Sequence, residues 1–118
     1  MGDPVNTFEI AGHDLKKLGA FYQGAFDWQL GTPQPAYTMI FPKEGLPVAG
    51  VLFPARPGAP GHAMFYVEVA DIEEKLRTIE QLGGRTVLPR TTVPDGPTIG
   101  QFADPEGNVV GLWIPRPR

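Results

Sequence analysis

The chain has 118 residues, which sets a single globular domain with its own core and excludes two independent ones. A net charge of −3 without a run of Lys or Arg excludes a stripe that tracks phosphates, and the lack of cysteine excludes disulfides, thiolate nucleophiles and thiolate metal sites. No window has the apolar length of a membrane span, and Met1-Gly2-Asp3-Pro4 carries neither a secretory nor a myristoylation signal, so the expectation is a cytoplasmic protein with neither nucleic acid nor membrane as partner.

The 15 Gly and 14 Pro read as turn punctuation, because seven Phe, three Tyr and two Trp stand among them at strand spacing. Residues 5–11 predict a strand. Asp14 caps a helix whose apolar stripe is Leu15, Leu18, Phe21, Tyr22 and Ala25, a stripe expected to face a sheet. Three short strands are predicted at residues 28–30, 37–41 and 48–53, separated by Gly31-Thr32-Pro33 and Lys43-Glu44-Gly45. The first module, residues 5–53, is therefore βαβββ. Residues 54–61, rich in Pro and Gly, form the linker.

The second module, residues 62–115, opens with a strand over Met64 to Val69. Asp71 with Glu74 makes a start like a capping box for a helix that turns Ile72, Leu76, Ile79 and Leu82 inward, and Gly83-Gly84 stops it. Strands follow near residues 86–88, 99–103 and 109–114. Asp95-Gly96 joins the first two, and Asp104-Pro105-Glu106-Gly107-Asn108 folds the last two into a hairpin, with Pro105 presetting one dihedral and Gly107 accepting a positive one.

The two modules repeat each other. With Asp14 set over Asp71, Phe8, Glu9 and Ile10 stand over Phe65, Tyr66 and Val67. Later Val48-Ala49-Gly50-Val51-Leu52-Phe53 matches Val109-Val110-Gly111-Leu112-Trp113-Ile114, a tandem unit of roughly 55 to 60 residues. The duplicated pattern, Phe21-Tyr22 followed by Phe26-Asp27-Trp28, and the late turn at Asp104 together resemble the vicinal oxygen chelate superfamily of glyoxalases, bleomycin-resistance proteins and extradiol dioxygenases. The resemblance implies an α+β fold of two tandem βαβββ modules, forming a curled, cup-shaped mixed sheet with the helices outside, and commonly a homodimer.

It also implies where a divalent metal would sit, on the first and last strands of each module, where such an ion acts as a Lewis acid. Those positions fall on Thr7, Met64, Gly50 and Gly111, none of them a competent ligand. The expectation is thus no metal and no cofactor. A slip of one residue moves an assignment to the other sheet face. A shift of two keeps the face and brings in Glu9 and Tyr66, with His62 on the same side as Met64.

The ligand-binding candidates are Thr7, Glu9, His62, Met64, Tyr66, Phe102 and Trp113. Glu9 serves as a base or fixes a ligand amine, or else is a half-solvated strand residue. His62 binds ligand at the mouth of the cup, or else is a surface histidine at a loop end. Tyr66, Trp28, Trp113 and Phe102 line a pocket or pack a core. His13 beside the cap, and Arg85 and Arg90 on a strand, read as solvated, and Asp104 as a turn residue that bonds backbone N–H groups. Three functions follow: a metal-independent protein binding a small organic molecule, a lyase, isomerase or dioxygenase with a divalent metal on Glu9 and His62, or a non-catalytic assembly subunit.

Overall fold

A computed structural model describes residues 2–34, 36–43 and 49–115. Val48 of the predicted fourth strand, and Glu44 and Gly45 of the turn before it, lie outside the described residues. In chain order the elements are β1 (Val5–Gly12), α1 (Leu15–Phe26), β2 (Gln29–Leu30), β3 (Thr38–Phe41), β4 (Ala49–Pro54), β5 (His62–Glu68), α2 (Ile72–Gln81), β6 (Arg85–Thr92), β7 (Thr98–Ala103) and β8 (Val109–Ile114). They fall into two compact units, Asn6–Met64 and the pair of segments Met1–Val5 and Phe65–Arg118.

In the unit Asn6–Met64, β1 runs parallel to β4, and β4, β3 and β2 continue as antiparallel neighbours. The Asp14 carboxylate accepts from the Lys17 amide at 3.0 Å and starts α1. Asp27, in the left-handed region at φ 58°, ends it. One face of these strands carries the helix. Phe8 tilts against Trp28, whose ring stacks on Tyr22 of α1, and a side chain added at the buried Gly19 of α1 would meet Leu30 and Leu52. Successive side chains of a strand alternate between faces, so Thr7, Glu9 and Ala11 occupy the face away from α1.

The predicted stripe of α1 needs correction at two positions. Phe21 is 63 % exposed and Ala25 is also exposed, while Leu15, Leu18, Gly19 and Tyr22 form the inner face. The true stripe follows the three- and four-residue steps from Leu15 through Leu18 and Gly19 to Tyr22, and Phe21 falls off it. The missing side chain at Gly19 is what lets the helix approach Leu52.

In the other unit, β5 and β8 are parallel, and β8, β7 and β6 are antiparallel in turn. Asp71 accepts from the Glu74 amide at 3.0 Å to start α2, which buries Ile72 and Leu76 against Val69 and Leu112, with Val67, Ile79, Phe102 and Ile114 packed around them. Leu82, expected inside, is 76 % exposed because the helix has ended before it. Its amide closes the last turn, and Gly83 at φ +100° redirects the chain. β6 is longer than predicted and continues through Pro89 to Thr92, tolerated because register shifts interrupt its pairing with β7 on either side of Leu88. The Asp104 turn forms as expected. Its Oδ1 accepts from the amides of Glu106 and Asn108, and its Oδ2 from the Asn108 side chain, each at 2.9 Å.

Candidate functional site

The strongest polar constellation lies on the strand face of Asn6–Met64 that is turned away from α1. Glu9 is only 3 % exposed, and its Oε2 lies 2.5 Å from Nε2 of His62. The imidazole stands where the linker ends; His62 is the first residue of β5, and its side chain is 47 % exposed. Gly61 places it there. A Cβ at residue 61 would come within 2.8 Å of the Ala11 carbonyl oxygen, so only glycine lets the chain run this close to β1 two residues beyond Glu9. A hydrogen bond from Nε2 to the carboxylate offsets part of the cost of burying it.

The neighbours of Glu9 follow from strand register. Glu9 stands beside Val51, Thr7 beside Ala49 and Ala11 beside Phe53, and Met39 is the next partner of Val51. The Phe53 ring lies 6.1 Å from that of Tyr37. The face therefore sets Glu9 and Thr7 among apolar and aromatic side chains. Sequence reading missed Val51, Met39 and Phe53, because which residues stand beside Glu9 depends on pairing between strands distant in sequence.

Gly50 is a correction. It stands beside Phe8, and a Cβ added to it would fall inside the Phe8 ring, on the face that carries α1. The position sharing a face with Thr7 and Glu9 is Val51 or Ala49. Matching the two modules at their glycines introduced the one-residue slip that exchanges faces. At Gly111 the assignment keeps its face, since a Cβ there would fall inside the ring of Tyr66, which in turn meets Trp113 edge-on at 5.2 Å.

The other unit holds Tyr66, Phe102 and Trp113. Tyr66 is 0 % exposed and its hydroxyl accepts from Gln101 Nε2 at 3.4 Å, so the ring acts as packing in its own unit. Trp113 is buried beside it. Phe102 lies on the opposite face, against the α2 core. Trp28 packs in the aromatic group of Phe8, Tyr22 and Phe26. Met64 is half-buried, and Arg85 and Arg90 are exposed. His13 ties the linker by a 2.7 Å contact between Nε2 and the Ala59 carbonyl. Among the described residues no three His, Asp or Glu side chains gather. The donor set at the metal positions implied by the resemblance, with Val51 or Ala49 replacing Gly50, does not fit a divalent ion: a buried Thr, a thioether, aliphatic side chains and a glycine.

The sequence profile of the Glyoxalase/Bleomycin resistance protein/Dioxygenase superfamily matches residues 5–112, and the chain belongs to that superfamily. A glyoxylase-like domain-containing protein of Didymella fabae is 26 % identical over 112 residues, covering 88 % of each chain. Among solved structures, methylmalonyl-CoA epimerase from Mycobacterium tuberculosis superposes with a TM-score of 0.72 at 15 % identity, over 96 % of this chain and 88 % of that one. A hypothetical protein from Bacillus halodurans superposes equally well, with a TM-score of 0.72 at 15 % identity over 100 % and 98 %. At these identities the likeness is one of fold, and the fold is that of the glyoxalase superfamily.

Proposed function

We propose that the protein binds a small organic molecule at the edge of the Asn6–Met64 strand face where His62 is exposed, without the divalent metal used elsewhere in the superfamily, and that Glu9 with His62 is the polar anchor of the site. The observation that carries this is the pair itself. A buried carboxylate is costly to keep, and here one of its partners is a half-exposed imidazole that a ligand can reach. The methylmalonyl-CoA epimerases supply the fold, but their chemistry is not carried over, because fold alone does not choose an activity. A homodimer in solution is part of the proposal, in keeping with the superfamily.

The test is a thermal-shift series with an organic ligand panel and with Mn, Co, Ni and Zn. A ligand at a hundred times its Kd adds about 2.7 kcal/mol of stability, a clear rise in melting temperature. Organic ligands are expected to raise it in the wild type and less in Glu9→Ala, and the metals to leave it unchanged. A stoichiometric metal lost on changing Glu9 or His62 favours instead a metal-dependent lyase, isomerase or dioxygenase, built on the same pair with further ligands from the substrate.

A further inference from the structure

The pair has a polarity that determines what a visiting molecule meets. A neutral imidazole carries one N–H and one lone pair, and the hydrogen bond at one nitrogen decides the role of the other. In the neutral ring, with the Glu9 carboxylate 2.5 Å from Nε2, that nitrogen is the one placed to donate. Nδ1 is left as an acceptor. Exposure adds direction, since the Glu9 side chain is 4 % exposed and that of His62 is 47 % exposed. The carboxylate is the fixed inner partner and the ring is the outer one. On the same face Val51 and Ala11 are buried while Met39 and Phe53 are half-buried, and the Phe53 ring lies 6.1 Å from that of the half-buried Tyr37.

We infer that His62 is the specificity-determining residue of this face, its Nδ1 accepting a hydrogen bond from the O–H of a flat aromatic ligand of the phenol class. The inference rests on the ligand-binding function proposed above and names its substrate class. Glu9 is the positioning residue. It fixes the tautomer, and without it the imidazole can present an N–H donor at Nδ1 instead.

The experiment compares two fluorescent probes in titration, 2-naphthol and 2-methoxynaphthalene, which differ by the presence of the donor hydrogen. Wild-type protein is expected to bind 2-naphthol about tenfold more tightly, the worth of one net hydrogen bond. His62→Phe keeps an apolar ring at the position and removes the acceptor. It is expected to bind both probes alike, with an unchanged circular dichroism spectrum. Nitrogen-15 NMR of the histidine rings reads the tautomer directly. The expected result is the Nε2–H form of His62 in the wild type and a mixture in Glu9→Gln, which a merely structural pair would not couple to probe preference. Equal binding of the two probes to the wild type, or an Nδ1–H tautomer, overturns the inference and leaves the proposed function standing. Binding of neither probe also overturns the inference, while the proposed function falls only if the whole organic panel fails to shift the melting temperature.

Discussion

The two modules use the same device on opposite faces. In each, an aromatic side chain on the first strand lies over a glycine on the parallel last strand: Phe8 over Gly50, and Tyr66 over Gly111. Phe8 points toward α1 and joins Trp28 and Tyr22 there. Tyr66 points away from α2 and joins Trp113. One module therefore spends its Phe8 ring on the helix side and leaves the other face to Thr7, Glu9, Val51, Met39 and Phe53. Its counterpart fills that face with rings. A duplicated sequence has in this way placed a carboxylate, Glu9, at the position where its counterpart holds the buried ring of Tyr66.

The most direct way to break the comparison is to remove the ring that fills the second module. Tyr66→Ala is expected to cost about 3–5 kcal/mol in urea denaturation, in line with large aromatic truncations in a core. Overpacking probes the same asymmetry from the glycine side. Gly111→Ala drives a Cβ into the fully buried Tyr66 and should reach the top of the about 1–3 kcal/mol range, while Gly50→Ala meets the half-buried Phe8 and should stay near its bottom. Equal losses in the two variants would remove the distinction between them.

The smallest effect concerns the Asp104 turn of the second module. The Asn108 side chain, and then its backbone amide, hold the Asp104 carboxyl below its ordinary range. A carboxylate whose pKa is lower folded than unfolded contributes stability at pH values above the unfolded pKa, and that contribution is lost as pH falls through the folded pKa. Asp104→Ala should thus lower the urea midpoint slightly at neutral pH, and the gap to the wild type should close in acid. A gap that widens in acid would contradict the assignment.

Much of the fold was legible in the sequence because its determinants are local. Asp14 and Asp71 cap helices through their own next turn, and Asp104 to Asn108 closes on itself. The apolar steps of α2 predicted Ile72, Leu76 and Ile79 correctly, and the steps of α1 failed at Phe21, where an aromatic residue lies just off the stripe. The site was legible only in part. Glu9 was visible on the inner row of β1, yet its partner depended on where the linker returns the chain, and that is decided by Gly61 against the Ala11 carbonyl. Gly50 was misplaced for a related reason: two matching hexapeptides do not reveal which residues of β1 and β5 stand beside them.

The unit boundaries run through the strands, not through the linker. His62 to Met64 belong with the first module, and Pro4, whose carbonyl accepts from the Glu68 amide, belongs with the second, as does Asp3 in its ion pair with Lys75. Each half has lent the other the opening of a strand. A gene cut at the linker would consequently yield a first repeat that retains Glu9 but has lost its imidazole, so the polar pair is a property of the fused duplication and of neither repeat by itself.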